Sequence, residues 1–500
     1  MKFGIIDIGS NNVRYAVWEI YGKGYYRMID EIKENVRLGA ETLSPSISPD
    51  RINAAVAALR RFRDFSESLD VSRTVVVATE AVRRASIREE FLNRVREEVG
   101  YDPIVLSEYE EAYLVYKGVT GSMEVKNSLM IDIGGTSTEL VWIKDGEMVE
   151  SASFPIGTIT LTEKYQLQNI VNPKNHTAME ESLKEAFGSI PWIRDKGYET
   201  LISVGGSART MGRIDRHKKR YPITLTHNYT LNDLDINQMY YSMLTKDAHM
   251  RSKTDGLERD RSDIILGALS ITNTILKITG LQEIRISGKG LREGILFEHL
   301  NAEYERYPNM LDASIYSVLA RHDMDTSHAE HVLKLTFAMF DGLKEVHRIA
   351  PTYRDIVKTS AMLHDVGMSI TYYDHEKHSF YIILNSEING LNHREVLLAA
   401  FAAKFHKKYD SGLSITAFSH MINKLDLFIA EKIGILIALS EAFDRNLRGL
   451  VRDVECRVTE ESVILTPISD EDISTEIIEA MKVSEKFREL FKKTLIITRP

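Results

Sequence analysis

The sequence predicts an α/β protein built from a duplicated unit, followed by an all-helical domain and a small mixed segment. Three observations point there. From Met1 to about Lys126, short β-branched runs alternate with longer helical periods, the pattern of layered α/β structure. The run Phe3-Gly4-Ile5-Ile6-Asp7-Ile8-Gly9-Ser10 is echoed by Ser128-Leu129-Met130-Ile131-Asp132-Ile133-Gly134-Gly135, and self-similarity of this kind marks a duplication. From Leu311 to about Arg448, helical periods follow one another with almost no strand-like alternation. The expected domains are residues 1–126, 127–303, 304–450 and 451–500.

In the first copy, strands are expected over residues 4–6, 13–18, 74–78 and 104–106. A helix is expected over residues 52–69, because Ile52, Val56, Leu59 and Phe62 fall on one face. Further helices follow Arg84 and Ser107. The second copy restarts at Ser128 and carries two more apolar runs, at residues 200–202 and 284–286, each leading into a glycine-rich turn. Within the helical domain, Val332, Leu335 and Met339 form an apolar face over residues 328–343. The closing segment reads as strands at 456–458 and 463–465 and a helix over 475–493.

Composition narrows the function classes. Apolar residues make up 43% and charged residues 27% of the 500, close to globular averages. A net charge of −9 gives no general attraction to nucleic acid, so none is expected as a partner. The longest apolar run, residues 433–439, is far shorter than the roughly 20 residues of a spanning helix. Cys456 is the only cysteine, which forbids an internal disulfide and a Cys-rich zinc site. Because the amino terminus, Met1 to Ile5, enters an apolar strand directly, with no basic, apolar or cleavage-site features of a signal segment, a cytoplasmic location is expected.

Chemistry concentrates in the glycine-containing turns. Asp7 to Ser10 and Asp132 to Ser137 each combine a strand-end aspartate with closely spaced backbone N–H groups. Small residues let phosphate oxygens approach the backbone, while the aspartates orient a hydrated Mg²⁺. A single strand-ending Asp-x-Gly is more often an ordinary turn, but two copies with duplicated flanks reverse that expectation. Candidate phosphate contacts are Ser10, Asn11, Gly134, Gly135, Thr136, Ser137 and Thr138. Gly205, Gly206, Ser207 and Arg209 form a third turn, and residues 287–294, with Lys289 and Arg292, a fourth. Four such turns predict a phosphate-lined cleft.

The segments Asp7 to Arg14, Thr79 to Arg83, Ser107 to Ala112, Asp132 to Glu139, Phe154 to Gly157, Gly205 to Arg209 and Ser287 to Gly294 together resemble the exopolyphosphatase/guanosine pentaphosphate phosphohydrolase (Ppx/GppA) family of the actin-like ATPase superfamily. The resemblance implies two actin-like (ribonuclease H-like) domains with an interdomain cleft, then a helical HD-like domain. It places the catalytic base at Glu111, whereas the residues alone leave Glu110 and Glu111 as carboxylates in a helix's first turn. It also implies that Asp7, Asp132 and Glu139 share a Mg²⁺ and water network, with K⁺ as a further candidate cation. Arg14, Arg83 and Arg209 would neutralise phosphates, Arg83 being the foremost candidate. The basic run Arg213 to Arg220 reads either as a solvated helix end or as a track for a long polyanion.

His328, His364-Asp365 and Asp444 follow the order of an HD-type phosphohydrolase, a set suited to Mn²⁺, Fe or Zn²⁺. A buried, hydrogen-bonded structural role for His328 is the alternative. The expected function is Mg²⁺-dependent release of phosphate from the end of inorganic polyphosphate. Its rivals are 5′-phosphate hydrolysis of guanosine pentaphosphate and a weakly catalytic regulator that binds guanosine tetra- or pentaphosphate. The resemblance further implies a homodimer.

Overall fold

Strand β1 (Lys2–Ile8) buries Phe3, Gly4, Ile5 and Ile6 in succession, which is why its sequence is continuously apolar rather than alternating. With β2 (Val13–Ile20), β3 (Tyr26–Glu34), β4 (Arg73–Ala78) and β5 (Ile104–Val105) it forms a sheet ordered β3-β2-β1-β4-β5. β1 pairs antiparallel with β2 and parallel with β4. This is a computed structural model describing residues 1–39, 47–194, 197–304, 309–407 and 415–498.

The plan is repeated by β6 (Ser128–Ile133), β7 (Thr138–Lys144), β8 (Glu147–Phe154), β9 (Thr200–Val204), β10 (Tyr229–Asn232) and β11 (Glu283–Ile286), ordered β10-β11-β9-β6-β7-β8. β6 occupies the place of β1, β9 that of β4 and β11 that of β5, with β10 added at the edge. The duplication read from two short segments thus extends to whole sheets. The edge strands β3 and β8 were not among the expected elements. Their sequences, Tyr-Arg-Met-Ile-Asp-Glu-Ile-Lys-Glu and Glu-Met-Val-Glu-Ser-Ala-Ser-Phe, carry the charges that suit an edge open to water.

Both sheets belong to one compact unit, Met1–Tyr221 with Leu225–Met310. The helix Pro49–Ser68 buries Ile52, Val56, Leu59 and Phe62, the expected face. The helix Glu108–Thr120 lies against the helix Leu291–Glu303 at backbone distance. A β-carbon on Gly118 would stand 2.2 Å from the Gly290 carbonyl oxygen, and one on Gly294 only 1.8 Å from that of Leu114. Gly294→Ala must therefore push the two helices apart, and we expect a loss of about 1–3 kcal/mol or more, read as a lower urea midpoint. An unchanged midpoint would contradict this packing.

The second unit comprises Pro222–Thr224 and Leu311–Pro500. Its core is helical, with Thr326–Gly342, Arg354–Leu363, His375–Asn385, His393–Lys404 and Lys424–Phe443. The face Val332, Leu335 and Met339 is buried, as its spacing predicts. The same unit includes a three-stranded sheet of β12 (Asp453–Val458), β13 (Ser462–Ile468) and β14 (Thr494–Ile497), ordered β12-β13-β14. The helix expected over 475–493 is two helices, Ser474–Met481 and Ser484–Phe491. Lys492 then adopts φ +57, ends the second helix and leads into β14. β14 was not expected, because four residues are too few to show a period.

Candidate functional site

The two Asp-Ile-Gly turns face each other across a cleft of the first unit. Ser10 Oγ and Thr136 Oγ1 lie 2.7 Å apart and join them. Each turn is closed by its own backbone: the Gly9 N–H donates to Asn12 O at 3.1 Å, and the Gly134 N–H to Ser137 O at 2.9 Å. Strand register makes the copies equivalent yet opposite in charge. Asp7 pairs with Arg14 across β1 and β2, and Asp132 pairs with Glu139 across β6 and β7. One half of the cleft therefore acquires a cation where the other acquires a carboxylate.

β9 runs directly into the helix Gly205–Lys219. Gly205 has φ +89, and a β-carbon there would lie 2.7 Å from Asp132 Oδ1. Only glycine lets this helix N-terminus come so near the carboxylate. Gly206 is stacked against the Arg261 guanidinium, which a β-carbon would meet at 2.1 Å.

The acidic wall is under electrostatic strain. Desolvation, reinforced by the charge of Asp7, pushes the Asp132 carboxyl up to about 6. Desolvation raises Asp7 as well, against the pull of Arg292 and Arg14. Glu139 is driven well above the ordinary carboxylate range by burial and by the charges of Glu111 and Asp132. Asp7 Oδ1, Asn11 Oδ1 and Asn12 Oδ1 are buried without a hydrogen-bond partner. Clustered carboxylates and orphaned oxygens are the environment that a divalent cation relieves.

Of the adjacent pair at the start of the Glu108–Thr120 helix, each carboxylate has its own task. Glu110 closes a capping box, accepting from the Ser107 N–H at 2.8 Å. Glu111, 14% exposed, lines the cleft. Desolvation outweighs Arg83, and together with the charges of Asp132 and Asp7 it lifts Glu111 to about 7.

Arg83 departs from its expected role. It does not line the cleft but stands behind Glu111, with Nη1 2.9 Å from Glu111 Oε2 and 2.7 Å from Leu106 O, and Nη2 2.7 Å from Glu80 Oε2. Three protein oxygens engage its guanidinium, so it acts here as a positioning residue. Removing its positive charge raises the pKa of Glu111. For Arg83→Ala we expect the acid limb of the kcat/KM profile to move to higher pH; an unmoved limb would detach Arg83 from Glu111.

The cationic wall consists of Arg14, Arg209, Arg261, Lys289 and Arg292. Burial and the charges of Arg209 and Arg292 lower Arg14 to about 10, and burial with Arg292 lowers Arg209. These groups repel one another in a recessed site, which makes the wall a receptor for an anion. Arg292 is tied to Glu31 Oε1 at 2.8 Å. Arg261 was missed by sequence reasoning: it sits in a short turn with no motif around it.

Ser10, Asn11, Gly134, Gly135, Ser137, Gly205, Gly206, Ser207 and Arg209 line the cleft as expected from the motifs. Besides Arg83, three candidates do not. Glu139, 3% exposed, is not part of the lining, and its Oε1 accepts from Ser153 Oγ at 3.2 Å. Thr138, fully buried, donates its hydroxyl to Ile156 O at 2.6 Å, and the Thr136 hydroxyl is engaged by Ser10. The basic run also proves discontinuous. Arg213 pairs with Glu258 at 2.8 Å, Arg216 is buried, and Lys219 bridges Asp215 and Asp235 at 2.8 and 2.7 Å.

In the second unit, His328, His364 and Asp365 converge, with Asp365 Oδ2 3.9 Å from His328 Nε2 and 3.6 Å from His364 Nε2. Asp444 stands behind them. Its oxygens accept from His328 Nδ1 at 2.8 Å and from the Gly449 N–H at 2.8 Å, so it orients a ring instead of converging with the others.

Comparison with known proteins places this geometry. A model described as the Ppx/GppA phosphatase family matches residues 18–303, and one for domain III of the Ppx/GppA phosphatases matches residues 311–443. The solved structure of an Aquifex aeolicus Ppx/GppA family member is 28% identical, covering 61% of this chain and 98% of its own, with a TM-score of 0.53. Another structure of the Aquifex aeolicus enzyme is 29% identical, covering 60% and 99%, with a TM-score of 0.51. An exopolyphosphatase from Cytophaga hutchinsonii shares the fold at 24% identity and a TM-score of 0.57, covering 60% and 98%. These neighbours have the actin-like fold that the duplicated sheets build here. The Asp7 turn precedes the matched residues, but its register with Arg14 and its bond to Thr136 tie it to the same site. Matched through most of both its units, the chain belongs to the Ppx/GppA phosphatase family.

Proposed function

We propose that the first unit is an exopolyphosphatase, removing the terminal phosphoryl group of inorganic polyphosphate as phosphate. The observation that carries this reading is Glu111, a cleft carboxylate lifted to about 7 between an acidic wall and an arginine wall. A group that titrates near neutrality is suited to general-base work. Glu111 takes a proton from the attacking water as the water oxygen bonds to the terminal phosphorus and the bond from phosphorus to the bridging oxygen breaks. Arg14, Arg209 and Arg292 receive the phosphate oxygens.

Asp7, Asp132 and Glu139 suit Mg²⁺: the donors are hard oxygens, Asp7 Oδ1 has no partner, and their mutual repulsion calls for a cation. Bound there, the ion would balance charge on the transferring group. One observation favours guanosine pentaphosphate instead. In the basic run proposed as a polymer track, Arg213 and Lys219 are engaged in ion pairs and Arg216 is buried, so preference for a polymer rests chiefly on the cleft arginines.

Phosphate release by the purified protein with Mg²⁺, measured on long-chain polyphosphate and on guanosine pentaphosphate, tests the reading. We expect the polyphosphate to be the faster substrate. Release from the nucleotide alone would transfer the assignment to the nucleotide phosphohydrolase, and release from neither would reject hydrolysis at this cleft.

A further inference from the structure

The helical unit contains more imidazoles around Asp365 than the HD pattern accounts for. His375 opens the helix His375–Asn385, and His406 lies just beyond the helix His393–Lys404. Their Nε2 atoms lie 3.1 and 3.5 Å from Asp365 Oδ1 and 3.2 Å from each other. Glu441 Oε2 lies 3.7 Å from His406 Nε2. The other oxygen, Asp365 Oδ2, faces His364 and His328. One carboxylate therefore presents each of its oxygens to a separate pair of histidines, and each trio has ligand atoms within 4.8 Å of one another.

The remote nitrogens fix what these rings offer. His364 Nδ1 donates to Ala361 O at 2.8 Å, His375 Nδ1 to Tyr372 O at 2.8 Å, and His406 Nδ1 to Ala403 O. A carbonyl oxygen can only accept, so Nδ1 carries the proton in each of the three. His328 Nδ1 faces Asp444 Oδ2 in the same manner. Every neutral ring then turns a bare Nε2 lone pair toward the carboxylate. Acceptors confront acceptors at short range, and His364 Nε2, on a side chain 1% exposed, has no hydrogen-bond partner. Such an arrangement is repulsive unless a metal ion, or a second proton on one of the rings, sits between the groups. Imidazole held by a backbone carbonyl at its far nitrogen is also the usual support for a metal-ligating histidine.

We propose that the helical unit holds two divalent transition-metal ions bridged by Asp365, the first bound by His328 and His364 and the second by His375 and His406, with Glu441 within reach of the second. Four imidazoles and few oxygens suit Mn²⁺, Fe²⁺, Co²⁺ or Zn²⁺ and disfavour Mg²⁺. This centre is independent of the chemistry assigned to the cleft.

The test uses the full chain loaded with Mn²⁺ alone, with tightly bound metal counted by mass spectrometry after gel filtration. Metal held in the cleft is common to all variants and cancels in the comparison. We expect Asp365→Ala to lose two equivalents relative to wild type, and His406→Ala or His375→Ala to lose one. Wild type should give the multiline EPR spectrum of an exchange-coupled Mn²⁺ pair, which His406→Ala collapses to the six lines of isolated ions. If circular dichroism shows an alanine variant to be unfolded, His406→Gln replaces it. Loss of only one equivalent in Asp365→Ala, or an unchanged count in a folded His406 variant, would overturn the proposal.

Discussion

Glu111→Gln is expected to slow phosphate release by about 10²–10⁴-fold, the usual contribution of a placed general base, with little change in KM. Glutamine keeps the shape of the side chain and its contact with Arg83 but cannot accept the proton. The fold has no reason to suffer, because Arg83 retains Leu106 O and Glu80. Glu110→Ala supplies the matching control. That carboxylate caps its own helix, so we expect near wild-type kcat and a stability loss of about 0.5–2 kcal/mol. Should Glu111→Gln retain more than a tenth of wild-type kcat, the base lies elsewhere.

Asp132→Asn is expected to move activity and stability in opposite directions. In the native chain without metal, the Asp132 carboxyl is raised from 3.8 to about 6. Between those values the native state holds a proton that the unfolded state has released, so stability falls as pH rises through the window. Above about 6 the whole penalty is present. Asparagine carries no charge to desolvate and does not repel Asp7, so at pH 7.5 without Mg²⁺ the variant should be more stable, by on the order of 2–3 kcal/mol. In wild type, Mg²⁺ should raise Tm by binding the native carboxylates. The variant should lose most of that rise together with its phosphate release. A variant that is less stable than wild type at pH 7.5, or equally stabilised by Mg²⁺, would remove Asp132 from the cation site.

Much of the site was legible in the chain because duplication repeats a local solution. The Asp7 and Asp132 turns each lie within a few residues of sequence, and a strand, a carboxylate and a glycine can be read as one unit. The capping box from Ser107 to Glu110 is equally local, but the residues alone left Glu110 and Glu111 alike, and only the family resemblance pointed to Glu111. Arg83 was legible as a motif residue but not as a positioning one. Glu80 lies three residues before it on the same helix, but Glu111 and Leu106 arrive from farther along the chain, and no spacing encodes that part of the meeting. The run from Arg213 to Arg220 failed for a related reason: Glu258 and Asp235, which neutralise it, arrive from other elements.

By itself, then, the sequence determined the duplicated α/β plan, the carboxylates at the strand ends, the glycines that admit close approach and the helical character of the second unit. These follow from period, turn chemistry and neighbouring residues. Tertiary structure alone decided that Arg261 stacks on Gly206 in the cationic wall, that the Thr138 hydroxyl donates to the Ile156 carbonyl, that Asp444 stands behind His328, and that His375 and His406 join Asp365. Each of these is a convergence of side chains from separate elements. Such a meeting is set by how helices and sheets pack, and packing depends on the shape of the whole core rather than on any one stretch of chain.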